Sequence, residues 1–267
     1  MKYLYLVIYL AIFPYQIEAQ KINAIKTIKH DTITIDLVNP YLSSVEFTLT
    51  TKNKNLPIKY KDRVIIKAND TCFNVLQLPA SIIKDTSKVN INEYVGIRGT
   101  FGDPYTVKPN KEFLYELPYP KGKRYKIIQS FGGRFSHNLE HSKYAIDFGL
   151  QIGDTITAAR SGIVILVKED SKTHGKTRDY IDYANKIKIL HDDGTIADYV
   201  HLDFNGALVK VGDQVKTGQP IGISGLTGFT TLPHLHFVVY KEQSVAIPIF
   251  FKKHKGKVLK KGKFYQN

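Results

Sequence analysis

The stretch that most strongly indicates the fold is Thr231-Leu232-Pro233-His234-Leu235-His236-Phe237-Val238-Val239-Tyr240. Its branched and aromatic residues, which follow a turn-like run from Gly225 to Pro233, predict a β-strand. Side chains alternate between the two faces of a strand, so His234 and His236 share one face while Leu235 points to the opposite layer. Two imidazoles on one face, about 7 Å apart, can divide metal binding and proton transfer between them.

Histidine is concentrated between residues 119 and 250, where glycine is also frequent. The histidines of this region are His137, His141, His174, His191, His201, His234 and His236. Their clustering favours a metal site or an acid–base site. An acid, Asp147, lies inside the apolar stretch 144–148, where a charge is costly to bury unless it is paired or bound to a metal. A second apolar strand, 199–202, contains His201.

These residues supply enough groups for a catalytic zinc site. Such a site has three protein ligands and an open position for water. Two further histidines can accept the proton of that water and stabilise the charge on the attacked carbonyl. The candidates are His137, Asp147, His201, His234 and His236.

The same region contains a weak internal repeat. The segments 153–164 and 212–222 both begin with Gly-Asp, place an aliphatic residue three positions after the glycine and continue into a strand. Gly-Asp favours a turn, so each copy is predicted to form a short hairpin, and two hairpins packed together predict a β barrel-sandwich. A biotinyl or lipoyl carrier domain could share this pattern. It would need an exposed lysine at a hairpin tip, which neither copy clearly presents, and it does not need the histidines.

In their order along the chain, these blocks resemble the LytM/lysostaphin-type zinc endopeptidases, family twenty-three of the metallopeptidases. The resemblance runs from about Gln129 to Tyr240 and rests on the blocks 144–148, 158–164, 199–202, 209–222, 225–228 and 233–237. It implies one Zn²⁺ per chain and hydrolysis of peptide bonds in bacterial peptidoglycan. By position in the motifs, Asp147 and His236 correspond to zinc ligands, and His201 and His234 correspond to the acid–base pair.

The first zinc ligand departs from the family pattern. The family usually has a histidine four residues before the aspartate, but this position holds Lys143, which cannot bind zinc while protonated. We therefore assign His137, which follows a turn that ends at Phe135-Ser136, with His141 in a polar loop as the alternative. If neither histidine reaches the metal, the protein would be a non-catalytic wall-binding or amidase-regulating relative.

The first 19 residues have the layout of a secretory signal. Lys2 is followed by an apolar run from Tyr3 to Pro14, and Ala19 precedes the predicted cleavage point. The apolar run is shorter than the ~20 residues of a membrane-spanning helix. We therefore predict export, to the periplasm or beyond the cell. The single cysteine, Cys72, excludes an intrachain disulfide, so the exported chain must rely on its own hydrophobic cores.

Residues 20–118 predict a small antiparallel β-sandwich-like domain. Polar and apolar residues alternate in Thr32–Val38 and again in 45–50, and short apolar runs follow at 64–66, 72–78 and 94–97. This region contains no group of residues typical of a catalytic site, so we expect the domain to have an accessory role. Prolines and a glycine in 117–123 mark a boundary, which places the peptidase domain at 119–250. The predicted fold class is therefore all-β, with a C-terminal barrel-sandwich (duplicated hybrid motif) peptidase domain.

Positive charge is concentrated at the C-terminus. The formal net charge is +14, and the basic tail, residues 251–267, contains no acid. Its lysines are Lys252, Lys253, Lys255, Lys257, Lys260, Lys261 and Lys263. The run predicts either adhesion to an anionic envelope surface or a solvated, partly disordered end. Nucleic acid is not an expected partner, because an exported chain rarely meets it and the run lacks interleaved aromatics. The expected partners are peptidoglycan peptides.

Overall fold

The computed structural model describes residues 6–10, 22–83 and 85–267, and most of the predicted signal sequence (1–19) lies outside them. The chain divides into two compact units, residues 1–103 and 104–267. Within the described residues, all regular elements are β-strands or short 3₁₀ helices. None of these helices has the length and apolar character needed to cross a membrane. The all-β fold class predicted from the sequence is confirmed.

The first unit is built from antiparallel strands. Its strands are β1 (Leu6–Leu10), β2 (Ile22–Lys29), β3 (Thr32–Val38), β4 (Val45–Thr51), β5 (Lys59–Tyr60), β6 (Arg63–Ile66), β7 (Thr71–Pro79) and β8 (Val95–Phe101). Short 3₁₀ helices cover Ala80–Ile82, Thr86–Lys88 and Ile91–Glu93. One sheet has the order β1-β2-β3-β7-β5 and the other has the order β6-β4-β8.

Alternation of polar and apolar residues explains these strands. In β3, Ile33, Ile35 and Leu37 are buried while the residues between them are partly exposed. One face of β3 therefore packs into the core of the unit and the other remains accessible to water. The strands predicted at 32–38 and 45–50 are present as β3 and β4, and the shorter runs correspond to β6, β7 and β8.

The second unit contains the remaining strands. They are β9 (Leu114–Tyr115), β10 (Arg124–Gln129), β11 (Ile146–Phe148), β12 (Thr155–Thr157), β13 (Gly162–Lys168), β14 (His174–Gly175), β15 (Asn185–Leu190), β16 (Ile196–Ala207), β17 (Gln214–Val215), β18 (Pro220–Ser224), β19 (Gly228–Phe229), β20 (Leu235–Tyr240), β21 (Phe250–Phe251) and β22 (Phe264–Gln266). Short 3₁₀ helices cover Arg178–Tyr183, Glu242–Ser244 and Lys252–His254. The main sheet has the order β17-β13-β15-β16-β20-β11-β10-β22, with β12 and β18 joined to it through β16.

Strand β20 lies between β11 and β16 at the centre of this sheet. Phe148 stands opposite Leu235, and both side chains point into the hydrophobic core. On the other face, Asp147 stands opposite His236, and His236 in turn stands opposite Val200 of β16. The antiparallel register therefore brings Asp147, His236 and the residue before His201 side by side.

The two Gly-Asp copies do not form separate hairpins, and that prediction is wrong. Strand β12 of the first copy pairs with β18 of the second, and β13 pairs with β17. The connection between β12 and β13 is held by the other copy: Ala158 N donates to Gln219 O at 2.9 Å, and Gly218 N donates to Ala158 O at 2.8 Å. Ala158 and Ala159 are also fully buried. The chain therefore crosses into the core here, and the two copies interlock.

The basic tail is folded onto the second unit, so the expectation of a partly disordered end is wrong. Strand β21 pairs with β9, and β22 pairs with β10. Leu259 is buried within the main hydrophobic core. The tail is thus part of the compact unit 104–267. The lysines of the tail extend from an anchored backbone.

Candidate metal centre

Three ligand atoms from two strands and one loop converge in the second unit. Asp147 Oδ1 lies 3.2 Å from His137 Nε2 and 2.9 Å from His236 Nδ1, and the two histidine nitrogens are 3.4 Å apart. A tetrahedral zinc ion with bonds of about 2.0–2.1 Å holds its ligand atoms about 3.3 Å apart. Both the spacing and the two-imidazole, one-carboxylate donor set therefore fit zinc.

His137 reaches this point from the loop that follows β10. Gly132 N donates to Lys143 O at 2.8 Å, and His137 N donates to Gly133 O at 3.0 Å, so the loop folds back across the sheet. The His137 side chain is completely buried as a result. The looping back expected between residues 137 and 147 is what the structure shows.

Gln129 and Ser130 support the three ligand atoms, and sequence reasoning missed both. Ser130 O accepts a hydrogen bond from His137 Nδ1 at 3.0 Å, which leaves Nε2 without a proton and available to a metal. Gln129 Nε2 donates to Asp147 Oδ2 at 3.2 Å. A Cβ on Gly133 would lie 2.2 Å from Gln129 Cγ, so glycine is required for this arrangement. The available signal was a polar Gln-Ser pair directly after the apolar residues Ile127 and Ile128.

Asp147 is held as a carboxylate. Burial by itself would raise the pKa of Asp147, but His234, His137 and His236 lower this pKa well below the usual value of an aspartate. The carboxylate is thus stabilised by three neighbouring imidazoles rather than by a lysine or an arginine. A metal cation can take over that role at the same position.

His201 and His234 lie together next to the three ligand atoms. Their ring centres are 4.6 Å apart, and the ring centre of His201 is 6.0 Å from that of His236. His201 Nδ1 donates to Thr227 O at 2.6 Å, and His234 Nδ1 donates to Leu232 O at 2.9 Å. Both Nε2 atoms are therefore free to accept a proton.

The surroundings of both histidines lower their pKa values. Burial lowers the pKa of His201 well below its ordinary value, and His234 and His236 lower it further. Burial also lowers the pKa of His234, although Asp147 opposes this shift. His201 has a φ of 71°, in the left-handed region that non-glycine residues rarely adopt. Such strain is typical of residues whose position is set by a functional site.

His141, the alternative first ligand, and Lys143, at the family's usual ligand position, lie outside this group. His141 has an exposed side chain, and Lys143 contacts Glu140 at 3.4 Å and the ring of Tyr144 at 5.4 Å. His191, predicted at a strand end before a turn, directly follows β15. The structure thus brings together the five residues predicted for zinc binding and proton transfer: His137, Asp147, His201, His234 and His236.

A family model described as Peptidase family M23 matches residues 141–248. Residues 141–248 belong to peptidase family M23. The M23 match contains Asp147, His201, His234 and His236 and begins after His137. Lys143, at the position where the family usually has its first histidine ligand, therefore lies inside the match, whereas His137, which we predict as that ligand, lies before it.

Several known M23-related proteins are similar to this chain. An uncharacterized metalloprotease of Buchnera aphidicola subsp. Baizongia pistaciae (strain Bp) is 29% identical over 236 residues, which cover 85% of this chain and 57% of that protein. The peptidoglycan DD-endopeptidase ShyA of Vibrio cholerae serotype O1 is 31% identical over 122 residues, or 45% of this chain and 26% of ShyA. The murein hydrolase activator NlpD of Salmonella dublin is 32% identical over 121 residues, or 45% of this chain and 28% of NlpD.

Among solved structures, the catalytic domain of lysostaphin from Staphylococcus simulans is 30% identical. The aligned region covers 47% of this chain and 87% of that chain, with a TM-score of 0.35. The chain spans between about a quarter and somewhat more than half of the length of the three relatives above.

Proposed function

We propose that this protein is an exported zinc endopeptidase that hydrolyses peptide bonds in bacterial peptidoglycan. The observation that carries the proposal is the convergence of His137, Asp147 and His236, whose ligand atoms lie within 4.8 Å of one another, next to two further imidazoles. The M23 match and the similarity to ShyA support the substrate class. Export rests on the predicted signal sequence.

The residues around the metal centre suit hydrolysis of a peptide bond. Zinc held by the three ligand atoms would act as a Lewis acid and lower the pKa of a bound water. The Nε2 of His201 or His234 accepts the proton of the attacking water and later returns it to the leaving amine. The other imidazole faces the negative charge that develops on the substrate oxygen. Hydrogen bonds to the backbone carbonyls of Thr227 and Leu232 keep both rings in place.

The replacement His236→Ala tests this proposal. We expect the zinc content to fall from about one ion per chain to nearly none, and peptide release from purified peptidoglycan to fall by at least ~10³-fold. Mass spectrometry of the released peptides and metal analysis of the protein measure the two effects, and a chelator should reproduce the loss in the unmodified protein. His141→Ala, which changes an exposed histidine outside the site, should retain both zinc and activity. Undiminished release by His236→Ala would overturn the proposal.

A second function, as a non-catalytic activator of another wall hydrolase, is favoured by Lys143 and by the similarity to NlpD. It predicts that the purified protein releases no peptides by itself but increases the activity of a purified wall amidase. Stoichiometric zinc together with release of peptides in the absence of any amidase would exclude it.

A further inference from the structure

A cleft of about 1060 Å³ lies beside the metal centre, between the loop that follows β10 and the basic tail. We call it the basic cleft. Residues 129–135 form one wall, and the other wall comes from His254, 257–261 and Tyr265. The volume is sufficient for several residues of an extended peptide.

The lining of the basic cleft is cationic and partly apolar. Its positively charged residues are Arg134, Lys257, Lys260 and Lys261, and no acidic residue lines it. Within the described part of the chain, no carboxylate forms an ion pair with any of these four. Phe135 and Val258 expose apolar surface in the same cleft. A suitable ligand therefore carries negative charge together with some apolar surface.

The tail wall has a fixed position. Leu259 is buried in the core, β22 pairs with β10, and Lys260 N donates to Tyr265 Oη at 2.9 Å. The lysine side chains therefore extend from an ordered backbone, so less entropy is lost when they meet a ligand. This arrangement is typical of a binding wall and differs from that of a flexible basic tail.

The floor of the basic cleft is shared with the metal centre. Ser130 Oγ donates to Leu259 O at 2.6 Å, and Ser130 O accepts from His137 Nδ1 at 3.0 Å. Gln129, which also lines the cleft, donates to Asp147. Gln129 and Ser130 therefore connect the cleft to the metal centre, whose own five residues do not line the cleft.

We propose that the basic cleft binds a carboxylate-bearing segment of the peptide substrate that lies away from the bond hydrolysed at the metal centre. Arg134 and the three lysines contact the carboxylates, and Phe135 and Val258 contact the apolar part of the peptide. This inference rests on the proposed function, because it names the part of the substrate that the cleft recognises. A phospholipid surface is a less suitable ligand, because a flat surface cannot follow the concave floor to Gln129 and Ser130.

Binding of the peptide Ala-γ-D-Glu-Lys-D-Ala-D-Ala, measured by calorimetry in the presence of a chelator, tests the proposal without any need for catalysis. The cleft variant is Lys257→Gln, Lys260→Gln and Lys261→Gln. The matched control is Lys253→Gln, Lys255→Gln and Lys263→Gln, which removes the same charge from exposed tail positions outside the cleft. We expect the cleft variant to bind the peptide at least ~10-fold more weakly and the control to change binding by less than ~2-fold.

Other results would overturn this assignment. They are equal weakening in both triple variants, equal binding of a peptide with amidated carboxylates, the absence of peptide binding, and competition by phosphatidylglycerol vesicles that depends on the same three lysines. If peptide binding follows the cleft lysines but no peptide bond is hydrolysed when zinc is present, the proposed endopeptidase function fails and the binding site stands.

Discussion

Asn39 in the first unit and Asp147 in the second are both buried polar side chains, but their partners are of different kinds. Asn39 Nδ2 lies 2.8–3.0 Å from the backbone carbonyl oxygens of three residues, and its Oδ1 accepts from Tyr41 N. Asp147 is bonded to side chains, those of His137, His236 and Gln129. Backbone partners hold a loop in shape, whereas imidazole partners can bind a metal instead. The kind of partner, rather than burial, separates a structural polar group from a functional one.

The largest effect is expected at Asp147. Asp147→Asn keeps the size of the side chain but removes the charge, so we expect zinc binding to be lost and peptide release to fall by at least ~10³-fold. The thermal stability of the metal-free protein should fall, because the variant lacks the charge that the neighbouring imidazoles stabilise. Metal analysis, peptide release and thermal unfolding measure these effects. If Asp147→Asn retained zinc, Asp147 would not be a functional group that differs from the structural Asn39.

At Asn39 we expect a loss of stability without a loss of zinc binding or activity. Asn39→Ala removes two N–H donors, which three carbonyls share, and one acceptor, each worth about 1 kcal/mol, so unfolding in urea should show a loss of about 3 kcal/mol. Zinc content and peptide release of the folded protein should not change. Asn53→Ala, in an exposed turn, is the matched control and should cost less than ~1 kcal/mol. A loss of activity while the protein remains folded would contradict a purely structural role.

His191 is a buried histidine outside the metal centre, and its contribution to the free energy of unfolding depends on pH. Its Nδ1 donates to Ser161 O at 2.9 Å, and burial lowers the pKa of His191 to about 4, with Arg160 lowering it and Asp193 and Asp192 raising it. Between pH 6.5 and pH 4 the unfolded chain binds a proton that the folded chain excludes. Stability therefore falls as the pH drops through this window, by about 3 kcal/mol from this residue.

The replacement His191→Gln checks this effect, because glutamine does not titrate. Urea unfolding at pH 7 and pH 4.5 should show a smaller loss of stability in the variant than in the unmodified protein. The quantity compared is the change in the free energy of unfolding from pH 7 to pH 4.5. A loss of packing energy that is the same at both pH values therefore cancels. An equal loss in both proteins would mean that His191 is already accessible to protons in the folded state.

Patterns within short stretches of sequence predicted many of the strands, because the burial of alternate side chains in a strand depends on residues that are close in sequence. Alternation located β3 and β4, and an acid within an apolar strand pointed to Asp147. The turn before Phe135-Ser136 favoured His137 over His141, and the structure places His137 with the other ligand atoms. Its role in binding zinc remains a prediction, as do the boundaries set at residues 119 and 250.

Partner choice between distant strands could not be predicted in the same way. Periodicity tells which face of a strand is buried but not which strand lies beside it, so the crossed pairing of β12 with β18 was missed. The folded tail was missed because seven lysines suggested a solvated end. The signal lay in the apolar pairs Val258-Leu259 and Phe264-Tyr265, which interrupt the lysines and supply Leu259 to the core and β22 to the sheet.

The interlocked Gly-Asp copies also affect the order of events during synthesis. Because β12 pairs with β18, and β13 pairs with β17 on one side and β15 on the other, the first copy emerges from the ribosome with strand edges that stay open until the second copy follows. Long-range pairing of this kind slows folding and leaves edges exposed to other chains. Asp147 likewise meets His236 only after β20 has been synthesised, so the three candidate zinc ligands cannot converge before that point.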